Sequence, residues 1–170
     1  MPKDRHIVTV KRTDTTELKQ VRQLFVEYAE WLSPFVTASA IDEELASLPS
    51  PFVAPHGRLL AALDSKGVVC GVVGIKRHST TKCEIKRLFV RPDCRGTGLG
   101  YALFSAALDA ACALGYEEAL VSTVPAFMEE ANRMYERLGF RQTECFEERT
   151  QATEELSYLR YELKDWCVGG

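Results

Sequence analysis

Cys83-Glu84-Ile85-Lys86-Arg87-Leu88-Phe89-Val90-Arg91-Pro92-Asp93-Cys94-Arg95-Gly96-Thr97-Gly98-Leu99-Gly100 decides how this chain is read. An apolar, strand-like run stops at Pro92, a basic glycine-rich turn follows, and a helical pattern then extends to about Leu114. The glycines at 96, 98 and 100 remove Cβ atoms where the backbone turns tightly and a bulky ligand can approach. The helix directs its unbonded N–H groups and the positive end of its dipole into the turn. That arrangement is an anion site, most naturally for phosphate.

The surroundings of the turn are those of one domain. A chain of 170 residues can bury a sufficient core without metals or disulfides. A formal net charge of −3 argues against a general nucleic-acid binder, so a polyanion would be held by a local basic patch. Lys82, Lys86, Arg87, Arg91 and Arg95 supply such a patch, although any one of them could equally be a solvated strand edge. Cys70, Cys83, Cys94, Cys112, Cys145 and Cys167 form no CxxC pair and no metal spacing. They are expected to be reduced, and no metal is expected. Met1 to His6 leads into no apolar segment, and no uncharged run approaches a membrane span. The expectation is a cytoplasmic protein without nucleic-acid or membrane partners, either monomer or homodimer.

Upstream of the turn, residues 6–10 read as a strand. Asp14-Thr15-Thr16-Glu17 has capping-box spacing for a helix carrying Leu18, Val21, Leu24, Phe25, Tyr28 and Leu32 on one face. A second helix reaches about Leu48, and a proline-rich loop leads into a hairpin with strands over residues 59–63 and 68–76. Residues 82–90 continue it as an antiparallel strand. Downstream, the glycine turn opens a helix with Leu99, Leu103, Ala106, Ala110 and Leu114 on its buried face, stopped by Gly115. Residues 118–123 form a strand parallel to 82–90 through a right-handed crossover. Pro125 opens a last long helix closed by Gly139, and strands at 140–146 and 156–163 precede a frayed tail. The class is α+β: a mixed, mainly antiparallel central sheet with helices on both faces, in one domain with its core at about residues 6–163.

Two nucleotide motifs fail on spacing. No Gly-Lys-Ser or Gly-Lys-Thr exists for a P-loop, and the sixth position from Gly96 is Tyr101, where a dinucleotide fingerprint needs glycine. Arg95-x-x-Gly98-x-Gly100 instead resembles the R/Q-x-x-G-x-G/A pyrophosphate turn of the GNAT superfamily of acyl-CoA-dependent N-acetyltransferases. Ala131-Asn132-Arg133-Met134-Tyr135-Glu136-Arg137-Leu138-Gly139-Phe140 resembles that family's Asn-x-x-Tyr helix ending in Gly-Phe. The order of elements matches as well, so the resemblance spans about residues 6–163.

The resemblance implies acetyl-CoA as cosubstrate. Backbone groups of Leu88, Phe89 and Val90 would pair with the pantetheine arm. N–H groups of Arg95, Gly96, Thr97, Gly98, Leu99 and Gly100 would hold the pyrophosphate, and Asn132, the only asparagine of the chain, would hydrogen-bond the cofactor. Tyr135 would protonate the leaving sulfur; a phenol of pKa ~10 is a suitable acid for a thiolate. Glu84 precedes Arg95 by the interval seen for the base glutamate of histone-type members, and would share a strand face with Lys86, Leu88 and Val90. The structural alternatives are a Glu84–Lys86 ion pair with a water chain as base, a packed Tyr135 and a surface Asn132.

A nucleophilic cysteine would need a neighbouring histidine, and no local signature links His6, His56 or His78 to one. The expected reaction is direct acetyl transfer to a primary amine, most simply of a small molecule. Glu27, Glu30, Trp31, Phe35, Glu43 and Glu44, with Glu144, Glu147, Glu148, Glu154 and Glu155, would favour a cationic acceptor if they face it, but read more simply as solvated surface. Two other readings remain open: a protein lysine or N-terminal acetyltransferase, and a non-catalytic CoA-binding regulator.

Overall fold

The computed structural model describes residues 4–11, 15–33, 38–147 and 156–168, with backbone alone at 38–41. The elements run β1 (His6–Thr9), α1 (Thr16–Trp31), α2 (Ala38–Ser47), β2 (Arg58–Leu63), β3 (Val69–Arg77), β4 (Lys82–Val90), a short 3-10 turn (Pro92–Cys94), α3 (Leu99–Ala113), β5 (Glu118–Thr123), α4 (Glu129–Leu138), β6 (Arg141–Gln142), β7 (Ser157–Glu162) and α5 (Lys164–Cys167). The strands form one sheet in the order β1-β2-β3-β4-β5-β7-β6. Every neighbouring pair is antiparallel except β4 and β5, which are parallel across the α3 crossover.

Period-2 alternation divides the apolar side chains of the sheet between two cores. Leu60, Ala62, Val73, Ile75, Cys83 and Ile85 pack under α3. Leu59, Ala61, Leu63, Val72 and Phe89 pack with α1 on the other face. Gly71 and Gly74 are places of close approach: a Cβ would lie 2.8 Å from Leu103 Cδ1 at the first and 2.6 Å from Phe52 Cδ1 at the second.

Several boundaries differ from expectation. Thr15 caps α1, its side chain accepting from Leu18 N, whereas Asp14 lies outside the described residues. The buried face of α3 is Leu99, Leu103, Phe104, Ala107, Leu108 and Ala111, a few residues around the helix from the expected stripe, because Phe104 and Leu108 bury more apolar surface than Ala106 and Ala110. Residues 125–127 form a turn, and α4 starts later, at Glu129. Of the expected strand at 140–146 only Arg141–Gln142 is strand, with one further backbone bond from Thr143 N to Tyr158 O. Not all six cysteines are free: Cys112 and Cys167 are disulfide-bonded. That bond and a 2.8 Å hydrogen bond from Trp166 Nε1 to Asp109 fasten α5 against α3, where a frayed tail was expected.

Candidate functional site

The site begins with an irregularity in β4. Val72 of β3 faces Phe89, but Gly74 faces Lys86, so β4 carries one residue more than its partner. Arg87 takes up the excess with φ of 61°, a conformation that costs a non-glycine residue on the order of 1 kcal/mol. The bulge inverts the alternation. Cys83 and Ile85 lie on the α3 face before it, Leu88 and Val90 lie there after it, and Phe89 joins the α1 core. Glu84 and Lys86 therefore do not share a face with Leu88 and Val90.

Beside the bulge the sheet opens. Pairing between β4 and β5 covers Lys82 with Glu118, Cys83 with Ala119 and Glu84 with Leu120, and goes no further. From Ile85 onward one edge of β4 has no strand beside it. Arg91 N donates to Cys70 O, so the main chains of Arg91 and Phe89 face β3. Alternation turns those of Leu88 and Val90 toward the gap. Val90 O there accepts from Arg95 Nε at 2.9 Å, while the Arg95 guanidinium lies over Phe89 and Trp31, 5.3 and 5.8 Å from the ring centroids.

The glycine turn stands at one end of this gap. Gly96 and Gly98 have φ of 75° and 78°, and Gly98 is the N-cap of α3. The backbone N–H groups from Gly96 to Tyr101 find no acceptor among the described residues; the first helical bond is Ala102 N to Gly98 O. A Cβ on Gly98 would meet nothing within 4 Å, and one on Gly100 only Val90 Cγ2 at 3.9 Å. The space is bounded by protein on one side only, as a cradle for a bulky anion would be. Thr97 points elsewhere: its hydroxyl donates to Cys94 O and accepts from Arg5.

At the other side of the gap stands α4. Tyr135 is 6% exposed and rests against Phe104 and Phe140, with ring centroids 5.1 and 5.5 Å away. Its hydroxyl has no hydrogen-bond partner among the described residues. Burial, and secondarily the field of Tyr28, pushes the phenol well above its ordinary range, so it holds its proton at neutral pH. Asn132, one turn earlier, donates from Nδ2 to Thr123 Oγ1 at 2.9 Å and to Met128 O at 2.7 Å.

One cleft of about 930 Å³ unites these parts, with Leu88, Phe89, Val90, Arg95, Gly96, Gly98, Leu99, Gly100 and Tyr135 on its wall. Thr97, Asn132 and Glu84 are not on it. Glu84 is 5% exposed and lies 3.5 Å from both Lys76 Nζ and His78 Nδ1; Lys76 is its cross-strand neighbour, so the ion pair forms there and not with Lys86, the partner named in the structural alternative. The wall also carries Lys86 and Arg87, expected from the sequence only as part of a basic patch for a polyanion, and Tyr28 and Ser122, which sequence reasoning missed. The bulge that presents the two cations follows from strand pairing and has no local sequence signal. Among the described residues no cluster of three or more His, Cys, Asp or Glu could hold a metal ion, and no helix is long and apolar enough to cross a membrane.

Comparison with known proteins fits this geometry. The model of the acetyltransferase (GNAT) family matches residues 18–140. An uncharacterized N-acetyltransferase of Schizosaccharomyces pombe is 32% identical over 131 residues, 76% of this chain and 80% of that protein. The crystal structure of an acetyltransferase from Streptococcus agalactiae superposes with a TM-score of 0.75 at 18% identity, covering 94% of this chain and 99% of that one. Spermidine N-acetyltransferase from Vibrio cholerae, solved in complex with CoA and spermine, superposes with a TM-score of 0.68 at 14% identity, covering 96% and 98%. A split sheet, a glycine turn with free N–H groups and a buried tyrosine on the wall of the same cleft thus coincide with a family match over most of the chain, which belongs to the GNAT family of acetyl-CoA-dependent N-acetyltransferases.

Proposed function

We propose that the protein moves an acetyl group from acetyl-CoA to a primary amine of a small molecule, by direct transfer while both are bound. The observation that carries this is that Tyr135 shares one cleft with the unpaired edge of β4 and the free N–H groups of the turn. The small-molecule acceptor draws support from the spermidine N-acetyltransferase of Vibrio cholerae, which has the same fold.

Acetyl-CoA supplies the activated thioester. The N–H groups from Gly96 to Tyr101, with the positive end of α3, hold the pyrophosphate. Leu88 offers its main-chain N–H and C=O to the pantetheine arm and Val90 its N–H, while Phe89 serves through its ring. Tyr135 gives its proton to the sulfur as the carbon–sulfur bond breaks and the amine forms the new carbon–nitrogen bond. Asn132 positions Tyr135 by binding α4 to the end of β5. Glu84 stands off the cleft wall, so the proton lost by the amine leaves through water.

Thiol release with acetyl-CoA and a panel of amines tests the reading. Free CoA is expected only when an amine is present. If acetyl-CoA raises the melting temperature and no amine releases CoA, the non-catalytic CoA-binding reading replaces this one.

A further inference from the structure

The bulge at Arg87 puts two consecutive basic residues on the wall of the cleft. In a regular strand neighbours point to opposite faces. Here the Lys86 and Arg87 side chains are 18% and 13% exposed, and each has a carboxylate partner that is not itself on the wall. Arg87 donates from Nε to Glu44 at 2.8 Å, with its guanidinium 5.6 Å from the Tyr28 ring centroid.

Lys86 is the less satisfied of the two. Its Nζ lies 3.9 Å from Glu147 Oε1, and it makes no hydrogen bond among the described residues. Glu147 is shared with Ser122 Oγ at 3.5 Å and Tyr158 OH at 3.3 Å. The Lys86 ammonium keeps some contact with water and has no close acceptor, so a carboxylate entering the cleft can form a charge-assisted hydrogen bond to it. Burial, and secondarily Arg87 beside it, lowers the Lys86 pKa, against the opposing pull of Glu84 and Glu147.

Sequence alone left room for an acidic acceptor pocket. Of the carboxylates considered there, Glu27, Glu30, Glu43, Glu44, Glu144 and Glu147 lie off the cleft wall, and Glu148, Glu154 and Glu155 lie outside the described residues. The carboxylates that do line it, Glu129 and Glu130, are exposed on the first turn of α4, and Glu129 is paired with Arg133.

We infer that the amine acceptor carries a carboxylate, and that Lys86 and Arg87 bind it. This rests on the acetyl-transfer reading above.

Thiol release by the full chain with α- and ω-amino acids, their amides and spermidine tests the assignment. Acids should exceed their amides in kcat/KM by about 10- to 100-fold, the worth of a hydrogen bond to a charged group. Lys86→Met should raise KM for the acid with little change in kcat and narrow the gap between acid and amide. Equal use of amides, preference for spermidine, or a Lys86→Met loss confined to kcat overturns the inference while acetyl transfer stands. If no amine reacts, acetyl transfer fails, and the subsite is judged by binding. N-acetylated amino acids should then raise the melting temperature of the CoA-loaded wild type but not of Lys86→Met, and no such shift in the wild type overturns it.

Discussion

Asn132 donates from Nδ2 to Thr123 Oγ1 at 2.9 Å, and this bond ties the helix carrying Tyr135 to the strand end where the sheet opens. Thr123 is 1% exposed and its hydroxyl in turn faces Met128 Sδ at 3.5 Å, so the link is buried at the Thr123 end and half-buried at Asn132. Asn132→Ala should destabilise by about 1–2 kcal/mol and lower turnover with it. Thr123→Val should reproduce the effect, read by urea unfolding and steady-state kinetics. If Asn132→Ala weakens CoA binding and Thr123→Val does not, Asn132 touches the cofactor directly.

Tyr135→Phe keeps the ring that packs on Phe104 and Phe140 and removes only the acid. Turnover should fall about 100-fold or more, the usual span for a positioned acid, with CoA affinity by calorimetry unchanged. Wild-type turnover in this variant would remove Tyr135 from the chemistry.

Gly100 separates folding from binding. It stands in the first turn of α3, and a Cβ there meets protein only at 3.9 Å. Gly100→Ala should stabilise the helix by about 0.5–1 kcal/mol and still weaken CoA binding, since the methyl group enters the cradle. A variant that gains stability and binds CoA as well as the wild type would contradict the pyrophosphate assignment.

Glu84→Gln addresses the base. With Glu84 off the wall and 3.5 Å from Lys76, the substitution should lower the melting temperature and leave the pH dependence of kcat/KM in place. Disappearance of the acidic limb of that profile would restore Glu84 as the proton acceptor.

Burial pushes the Cys83 thiol up to about 12. The folded state keeps this proton at pH values where an unfolded thiol, near ~8.5, has released it. The contribution to stability is complete below that unfolded value and is lost as pH rises toward the folded one. The urea midpoint should therefore decline above pH ~9, and decline less steeply in Cys83→Ala.

Much of the fold was legible because its signals are local. Pro92 ended β4, Gly115 and Gly139 ended α3 and α4 with positive φ, and the hairpin turn at residues 64–67 set β2 against β3. Errors arose where distant parts of the chain choose the outcome. The face of α3 was set by the sheet beneath Phe104 and Leu108, and the start of α4 by the turn at residues 125–127. The link from Cys112 to Cys167 joins helices 55 residues apart in the chain, and nothing in the spacing announces it.

The sequence by itself determined the glycine turn and the helix of Asn132 and Tyr135, because short spacings and backbone freedom specify both. Tertiary structure alone decided which polar groups face the cleft. One extra residue at Arg87 inverts the faces of β4, and pairing with β5 ends at Glu84. Glu84 is thereby left against Lys76, and Lys86 and Arg87 are carried onto the wall. Strand register depends on the neighbouring strands, and no reading of β4 in isolation contains it.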